Sequence, residues 1–130
     1  MIVGIGIDLV DSQRIRKLMG THEARFVARY FTAHEASHVA QYQDIDQRAL
    51  SLAKRFAAKE ACAKALGTGF RDGLYMGDIE IQNDPLGKPV LTLTGGALEK
   101  AAQLIPTDQR MVLHVSLTCL LYTSPSPRDS

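Results

Sequence analysis

No apolar run in this chain approaches the roughly 20 residues that cross a bilayer. The opening residues, MIVGIGIDLVD, carry Asp8 and Asp11 where a secretory signal has a basic leader. No membrane partner is expected, and the cytoplasm is the expected compartment. Cysteine is scarce: Cys62 and Cys119 lack metal-ligand spacing, and neither requires a disulfide. There are no internal repeats and no Walker-type phosphate loop. Basic residues are not interleaved with aromatic ones as in a nucleic-acid platform, so no nucleic-acid partner is expected.

At 130 residues, 45% hydrophobic and 22% charged, the chain has the composition of one ordinary globular domain with a real core. Net charge is only +1, but it is unevenly spread. Between Gln13 and Thr32, Arg14, Arg16, Lys17, Arg25 and Arg29 face Glu23 alone, so this segment is +4 and the remainder −3. A solvated helix face would account for it. A docking patch for an acidic partner would account for it as well, and of protein and nucleic acid an acidic protein fits better.

The pattern predicts a mixture of strands and helices. Ile2 to Val10 reads as a strand with Val3, Ile5, Ile7 and Leu9 on one face and Gly4, Gly6 and Asp8 on the other. Asp11 or Ser12 can cap a short helix with Ile15, Leu18 and Met19 on one side, stopped by Gly20. A second helix surrounds Phe26, Val27 and Tyr30, and Thr32 to Glu35 has the form of a capping box for a third. Asp46 is expected to cap the longest helix, Gln47 to Leu66, with Leu52, Phe56, Ala63 and Leu66 as its apolar stripe and Gly67 at its end. Ile79 to Gln82 and Val90 to Thr94 read as strands joined by a turn from Asp84 to Lys88. A helix over Gly96 to Ile105 and an alternating strand over Met111 to Thr118 complete the pattern. Without a regular βαβ repeat, α+β is the expected class. From Cys119 the chain continues as CLLYTSPSPRDS, a composition suited to a disordered or foreign tail. The expected domain is therefore 1–118, followed by an atypical segment 119–130.

Chemistry concentrates in three residues. Asp8 ends the glycine-spaced strand GIGIDLV, and Glu60 and Lys64 stand one turn apart in KRFAAKEACAKALGTG. Two carboxylates from distant elements can share Mg²⁺ and leave positions for phosphate oxygens. A lysine one turn along can reach the same phosphate. Glu60 and Lys64 also have the order of a surface helix pair worth about 0.2–0.5 kcal/mol. Their flanks, however, are Phe56, Ala53 and Ala57, which suit a cleft better than a polar face. Lys59, near the apolar stripe, must snorkel, pair or meet a ligand. The residues together point to a Mg²⁺-dependent enzyme acting on a phosphate-bearing substrate.

The stretches GIGIDLVDSQRI, KRFAAKEACAKALGTGF, DIEI with GKP, and HVSLT resemble the holo-acyl-carrier-protein synthases, the short bacterial 4′-phosphopantetheinyl transferases. The resemblance runs over about residues 1–118. It implies a small mixed sheet packed on a long helix, assembled as a homotrimer with active sites between subunits. It further implies transfer of 4′-phosphopantetheine from coenzyme A to a serine of apo-acyl carrier protein, leaving 3′,5′-ADP, in fatty acid biosynthesis. By position, Asp8 and Glu60 would hold Mg²⁺ and Lys64 would steady the transferring phosphate. Arg55, Lys64, Gly67, Thr68, Gly69, Gly87, Lys88, Pro89 and His114 would line the coenzyme A site, and Arg14, Leu18, Arg25 and Arg29 would grip the carrier protein. The base for the serine proton is Glu60 or a water on the metal. The family's final apolar strand is missing or replaced here by CLLYTSPSPRDS. Two other readings stand beside this one: a non-catalytic carrier-protein binding domain on the same scaffold, and a Mg²⁺-dependent nucleotide phosphotransferase.

Overall fold

The computed structural model describes residues 10–67, 69–70, 74–106, 111–113 and 115. The expected strand Ile2 to Val10 (Val10 excepted) and the segment from Cys119 onward lie outside the described residues.

Three eight-residue helices precede a long one. Helix α1 (Ser12–Met19) begins at Asp11, whose carboxylate accepts the Gln13 N–H at 2.9 Å. It buries Ile15 and Met19, while Leu18, expected beside them, is 52% exposed. Leu18 lies about 80° round the helix from the line joining those two, which is enough to bring it to the surface. Helix α2 (Glu23–Tyr30) buries Phe26. Helix α3 (Ala33–Ala40) carries the expected capping box: Thr32 Oγ1 accepts the Glu35 N–H at 3.2 Å, and Glu35 Oε1 accepts the Thr32 N–H at 2.9 Å.

Helix α4 (Ile45–Ala65) runs 21 residues. Its cap is Asp44 rather than Asp46, because the extended backbone sits at Asp44, whose Oδ1 accepts the Asp46 N–H at 3.0 Å. Asp46 falls in the first turn and meets Arg16 at 3.3 Å. A 3₁₀ turn, Met76–Asp78, leads into β1 (Ile79–Asn83), which pairs antiparallel with β2 (Pro89–Leu93). The register sets Ile81 opposite Leu91 and Asn83 opposite Pro89. Helix α5 (Gly95–Leu104) follows. The described residues of the expected strand Met111 to Thr118 are not in a strand, although Met111 and Val115 pack inward and Val112 is 68% exposed. Alternation in sequence states which side chains turn inward, not whether a neighbouring strand supplies hydrogen bonds.

The core has two parts joined by α4. Ile15, Met19, Phe26, Phe31 and Val39 pack against its first half through Ala49, Leu52 and Ala53. Ile79, Ile81, Leu93, Ala97 and Ala101 pack against its second half through Ala58 and Ala63. The expected stripe is largely observed, with Leu52 and Ala63 buried and Phe56 and Leu66 half-buried. An ion pair stands at the junction. Lys59 Nζ lies 2.6 Å from Glu35 Oε1, and both side chains are fully buried. Lys59 also donates to the carbonyls of Tyr30 (3.0 Å) and Met76 (2.9 Å), while Glu35 Oε2 accepts the Ile81 N–H at 3.0 Å. Burial lowers the Lys59 pKa, against the opposing pull of Glu35.

Gly95 opens α5 with φ +50, and a Cβ there would stand 2.9 Å from Asp78 Oδ1. Gly95→Ala is therefore expected to cost more than about 1 kcal/mol. Thermal denaturation of the variant checks this, and an unchanged melting temperature would refute it.

Candidate active site

Helix α4 presents functional side chains on two different faces. At 100° and 1.5 Å per residue, Arg55 and Glu60 are about 140° and 7–8 Å apart. One face, with Gln47, Ser51, Lys54 and Arg55, borders a groove. The other carries Glu60 and Lys64 toward the helix's C-terminal end.

The groove encloses about 620 Å³, within the range of small-molecule sites, between the α3–α4 corner and the β1–β2 turn. His38 and Tyr42 line it from the corner, and Gly87, Lys88 and Pro89 line it from the turn. That turn is closed by Asp84, whose Oδ1 accepts the N–H groups of Leu86 (2.9 Å) and Lys88 (2.8 Å). The corner is held by Arg48, which donates to the Tyr42 and Gln43 carbonyls and pairs with Glu23 at 2.7 Å.

Arg55 is 4% exposed. Its Nε donates to the Ile81 carbonyl at 3.3 Å, and Nη1 donates to the Ser51 carbonyl at 3.3 Å and to Ser51 Oγ. Nη2 has no hydrogen-bond partner, and Arg55 makes no ion pair, among the described residues. Burial lowers its pKa, the main influence on it. A guanidinium remains charged regardless, so this is a desolvated cation with donors to spare. Lys54 and Lys88 add charge, and no carboxylate appears among the described lining residues. The described lining suits an anion.

At the other face, Glu60 is half-buried and Lys64 exposed. The chain then turns back: Gly67 donates to the Lys64 carbonyl at 3.0 Å and Gly69 to the Ala63 carbonyl at 3.1 Å. Both glycines have positive φ, +92 and +61, and a Cβ on either would meet nothing within 4 Å among the described residues. Glycine is needed there for backbone conformation. Mg²⁺ takes one or two carboxylates and completes its shell with phosphate oxygens and water. Glu60 fits that demand. No group of three or more His, Cys, Asp or Glu side chains gathers among the described residues.

Of the residues expected to act, Arg55, Gly87, Lys88 and Pro89 share the groove, whereas Glu60, Lys64, Gly67 and Gly69 stand apart from it. Asp8, Thr68 and His114 lie outside the described residues. Arg14, Arg25 and Arg29 are exposed along α1 and α2 with Leu18, as a docking patch requires, and Arg29 lies over the Tyr30 ring at 5.4 Å. Arg16 is partly neutralised by Asp46. Sequence reasoning missed Lys54, His38 and Tyr42. Lys54 was discoverable as the cation next to Arg55 in sequence, although the two stand about 100° apart on the helix. His38 and Tyr42 gave no signal, because their place depends on how α3 meets α4. Cys62 is half-buried and burial raises its thiol pKa to about 11, which suits packing and not nucleophilic chemistry.

Comparison with known proteins establishes the family and the fold. The family model described as the 4′-phosphopantetheinyl transferase superfamily matches residues 4–115. The holo-[acyl-carrier-protein] synthase of Brucella ovis is 47% identical over 118 residues, covering 91% of this chain and 86% of the relative. The crystal structure of the Neisseria meningitidis holo-[acyl-carrier-protein] synthase superposes with a TM-score of 0.65 at 41% identity, covering 79% of each chain. A Bacillus anthracis holo-(acyl-carrier-protein) synthase in complex with CoA (3′,5′-ADP) gives 0.65 at 39% identity, covering 72% of this chain and 77% of that one. With a family model matched over residues 4–115, close relatives along most of its length and a matching fold, this chain belongs to the 4′-phosphopantetheinyl transferase superfamily.

Proposed function

We infer that this chain transfers 4′-phosphopantetheine from coenzyme A to a serine of apo-acyl carrier protein, leaving 3′,5′-ADP. The observation that carries the reading is Arg55: buried, without an ion-pair partner among the described residues, and on the wall of a groove lined by Lys54 and Lys88 but by no described carboxylate. A nucleotide phosphate supplies the anion that this wall lacks. Fatty acid biosynthesis in the cytoplasm is the setting that follows from the carrier protein as acceptor.

The chemistry belongs to the opposite face of α4. Asp8 and Glu60 are the proposed Mg²⁺ ligands, and the ion when bound supplies charge neutralisation at the pyrophosphate of coenzyme A. The serine oxygen attacks the β-phosphate, the bond to the 3′,5′-ADP oxygen breaks, and the serine proton leaves to Glu60 or to water. Lys64, on the same face, neutralises charge on the phosphate and can protonate the departing oxygen. The proposed coenzyme A contacts also include the turn after α4 at Gly67 and Gly69, with Thr68 between them in sequence, and His114.

The angular separation of Arg55 from Glu60 supports a site shared between neighbouring copies of a homotrimer, with the groove of one copy facing the Glu60 face of the next. Co-expressing Lys88→Glu with Glu60→Gln tests this. If each site draws on two copies, random mixing restores about a quarter of wild-type activity, although each variant alone is nearly inactive. No recovery from the mixed assembly would place both half-sites in one chain.

The reaction itself is tested by incubating the chain with apo-acyl carrier protein, coenzyme A and Mg²⁺ and weighing the carrier intact. A gain of one phosphopantetheine, abolished by EDTA, is the expected result. Retained carrier binding with no transfer under any Mg²⁺ concentration would overturn it in favour of a binding domain. For the docking patch, Arg14→Glu is expected to weaken carrier binding on the order of tenfold and leave coenzyme A affinity unchanged. Equal loss of both, read by titration calorimetry, would remove Arg14 from the patch.

A further inference from the structure

The groove contains a titratable group for which the proposed transfer reaction has no use. His38 lies on its wall with its ring edge-on to Tyr42, centroids 5.8 Å apart. Its Nε2 is sealed from solvent and has no hydrogen-bond partner among the described residues. The titratable groups that share the groove with it are cationic or neutral: Arg55, whose charge acts on it, and Lys54 from α4, Lys88 from the β1–β2 turn, and Tyr42, whose ring it meets. Glu35, one turn back on α3, is 1% exposed and already committed to Lys59, the Thr32 N–H and the Ile81 N–H. Its charge is paired with Lys59, and its remaining influence falls on Arg55 and not on His38.

Two effects keep His38 neutral in the empty groove. Burial is the larger, and the Arg55 charge adds to it; together they lower its pKa from the ordinary 6.5. A bound phosphomonoester leaves the first in place and reverses the second. Its two negative charges, set among Arg55, Lys54 and Lys88, turn the field at the imidazole from repelling a proton to attracting one.

We propose that His38 is a fourth cationic member of the groove, uncharged at neutral pH while the groove is empty and protonated when a phosphomonoester dianion occupies it. The inference rests on the reading of this groove as a nucleotide-phosphate site and adds a residue to it. His38 acts through space, because its sealed Nε2 offers no direct contact. Its proton comes from solvent, and no bond of the ligand changes. Binding is then linked to proton uptake. Affinity is greatest at low pH and falls as pH rises through the His38 value of the complex. Each unit by which the ligand raises that value is worth tenfold in affinity below it.

The test is calorimetric titration of the full chain with 3′,5′-ADP at about pH 7.5, where phosphomonoesters are mostly dianionic. Running it in two buffers of different ionisation enthalpy counts protons. Uptake of up to one proton per site is expected, and His38→Gln should abolish it and weaken binding about three- to tenfold. In parallel, the His38 ring resonance of the wild-type chain should move toward its charged position when 3′,5′-ADP is added. That readout decides the matter even if His38→Gln fails to fold. Binding with an unmoved His38 resonance, or with uptake that survives His38→Gln, overturns the inference and leaves the nucleotide site standing. No binding of 3′,5′-ADP by the folded wild type overturns the site and the inference with it.

Discussion

Lys59→Met is expected to destabilise the fold by about 3–5 kcal/mol, because it leaves the Glu35 carboxylate charged, buried and without its cation. A domain of this size has only about 5–15 kcal/mol in total, so the variant would stand close to unfolding. A fall in melting temperature on the order of 10–20 °C is the corresponding observable. The effect is large because the pair lies where the two parts of the core meet. Lys59 Nζ is bound to the end of α2 through the Tyr30 carbonyl and to the 3₁₀ turn through the Met76 carbonyl. Glu35 holds the first turn of α3 and the middle of β1. Adding Glu35→Gln should recover part of the loss, since a neutral amide still accepts a hydrogen bond and no longer demands a counter-charge. If the single variant melts like wild type, the pair is not the cross-link described above. If the double variant is worse than the single, the penalty comes from lost hydrogen bonds and not from buried charge.

The second large effect is on chemistry. Glu60→Gln should lower transfer by about 10²–10³-fold while the melting temperature stays near wild type. The replacement preserves shape on a half-buried position of α4 and removes only charge. An amide is a weak ligand for a hard cation and cannot take a proton from serine. Raising Mg²⁺ separates the two roles. Recovery at high Mg²⁺ would make Glu60 chiefly a metal ligand, and a persistent loss would make it the base as well. Wild-type rates at limiting Mg²⁺ would remove Glu60 from the machinery. The affinity of 3′,5′-ADP for the groove should be much less affected, because Arg55 lies on another face of the helix and Lys88 in the β1–β2 turn beside that face.

Family membership and most of the elements were legible from residue order. Caps, glycine stops and helical periodicity act over a few residues, so Thr32 with Glu35, Gly20 and the α4 stripe could be read directly. Boundaries shifted where two acids competed for one role, as Asp44 and Asp46 did at the start of α4. Leu18 was assigned to the wrong side because apolar character alone does not fix the contact line of a helix with only two turns.

The candidate site was legible as a list of residues and not as an arrangement. KRFAAKEACAKALGTG determines by itself that Arg55 and Glu60 lie on different faces of one helix, since 3.6 residues per turn leaves no other outcome. It also determines that Glu60 and Lys64 share a face. What occupies the space beside Arg55 was decided elsewhere. The β1–β2 turn brings Lys88 to the same groove from 33 positions further on, and the α3–α4 corner brings His38 and Tyr42 from the other direction. Whether Lys59 would snorkel, pair or meet a ligand was likewise open until the fold placed Glu35 within 2.6 Å of it. Local pattern specifies elements because their hydrogen bonds close within a turn or across one hairpin. Partners of buried charges come from distant segments, and only the packing of those segments selects them.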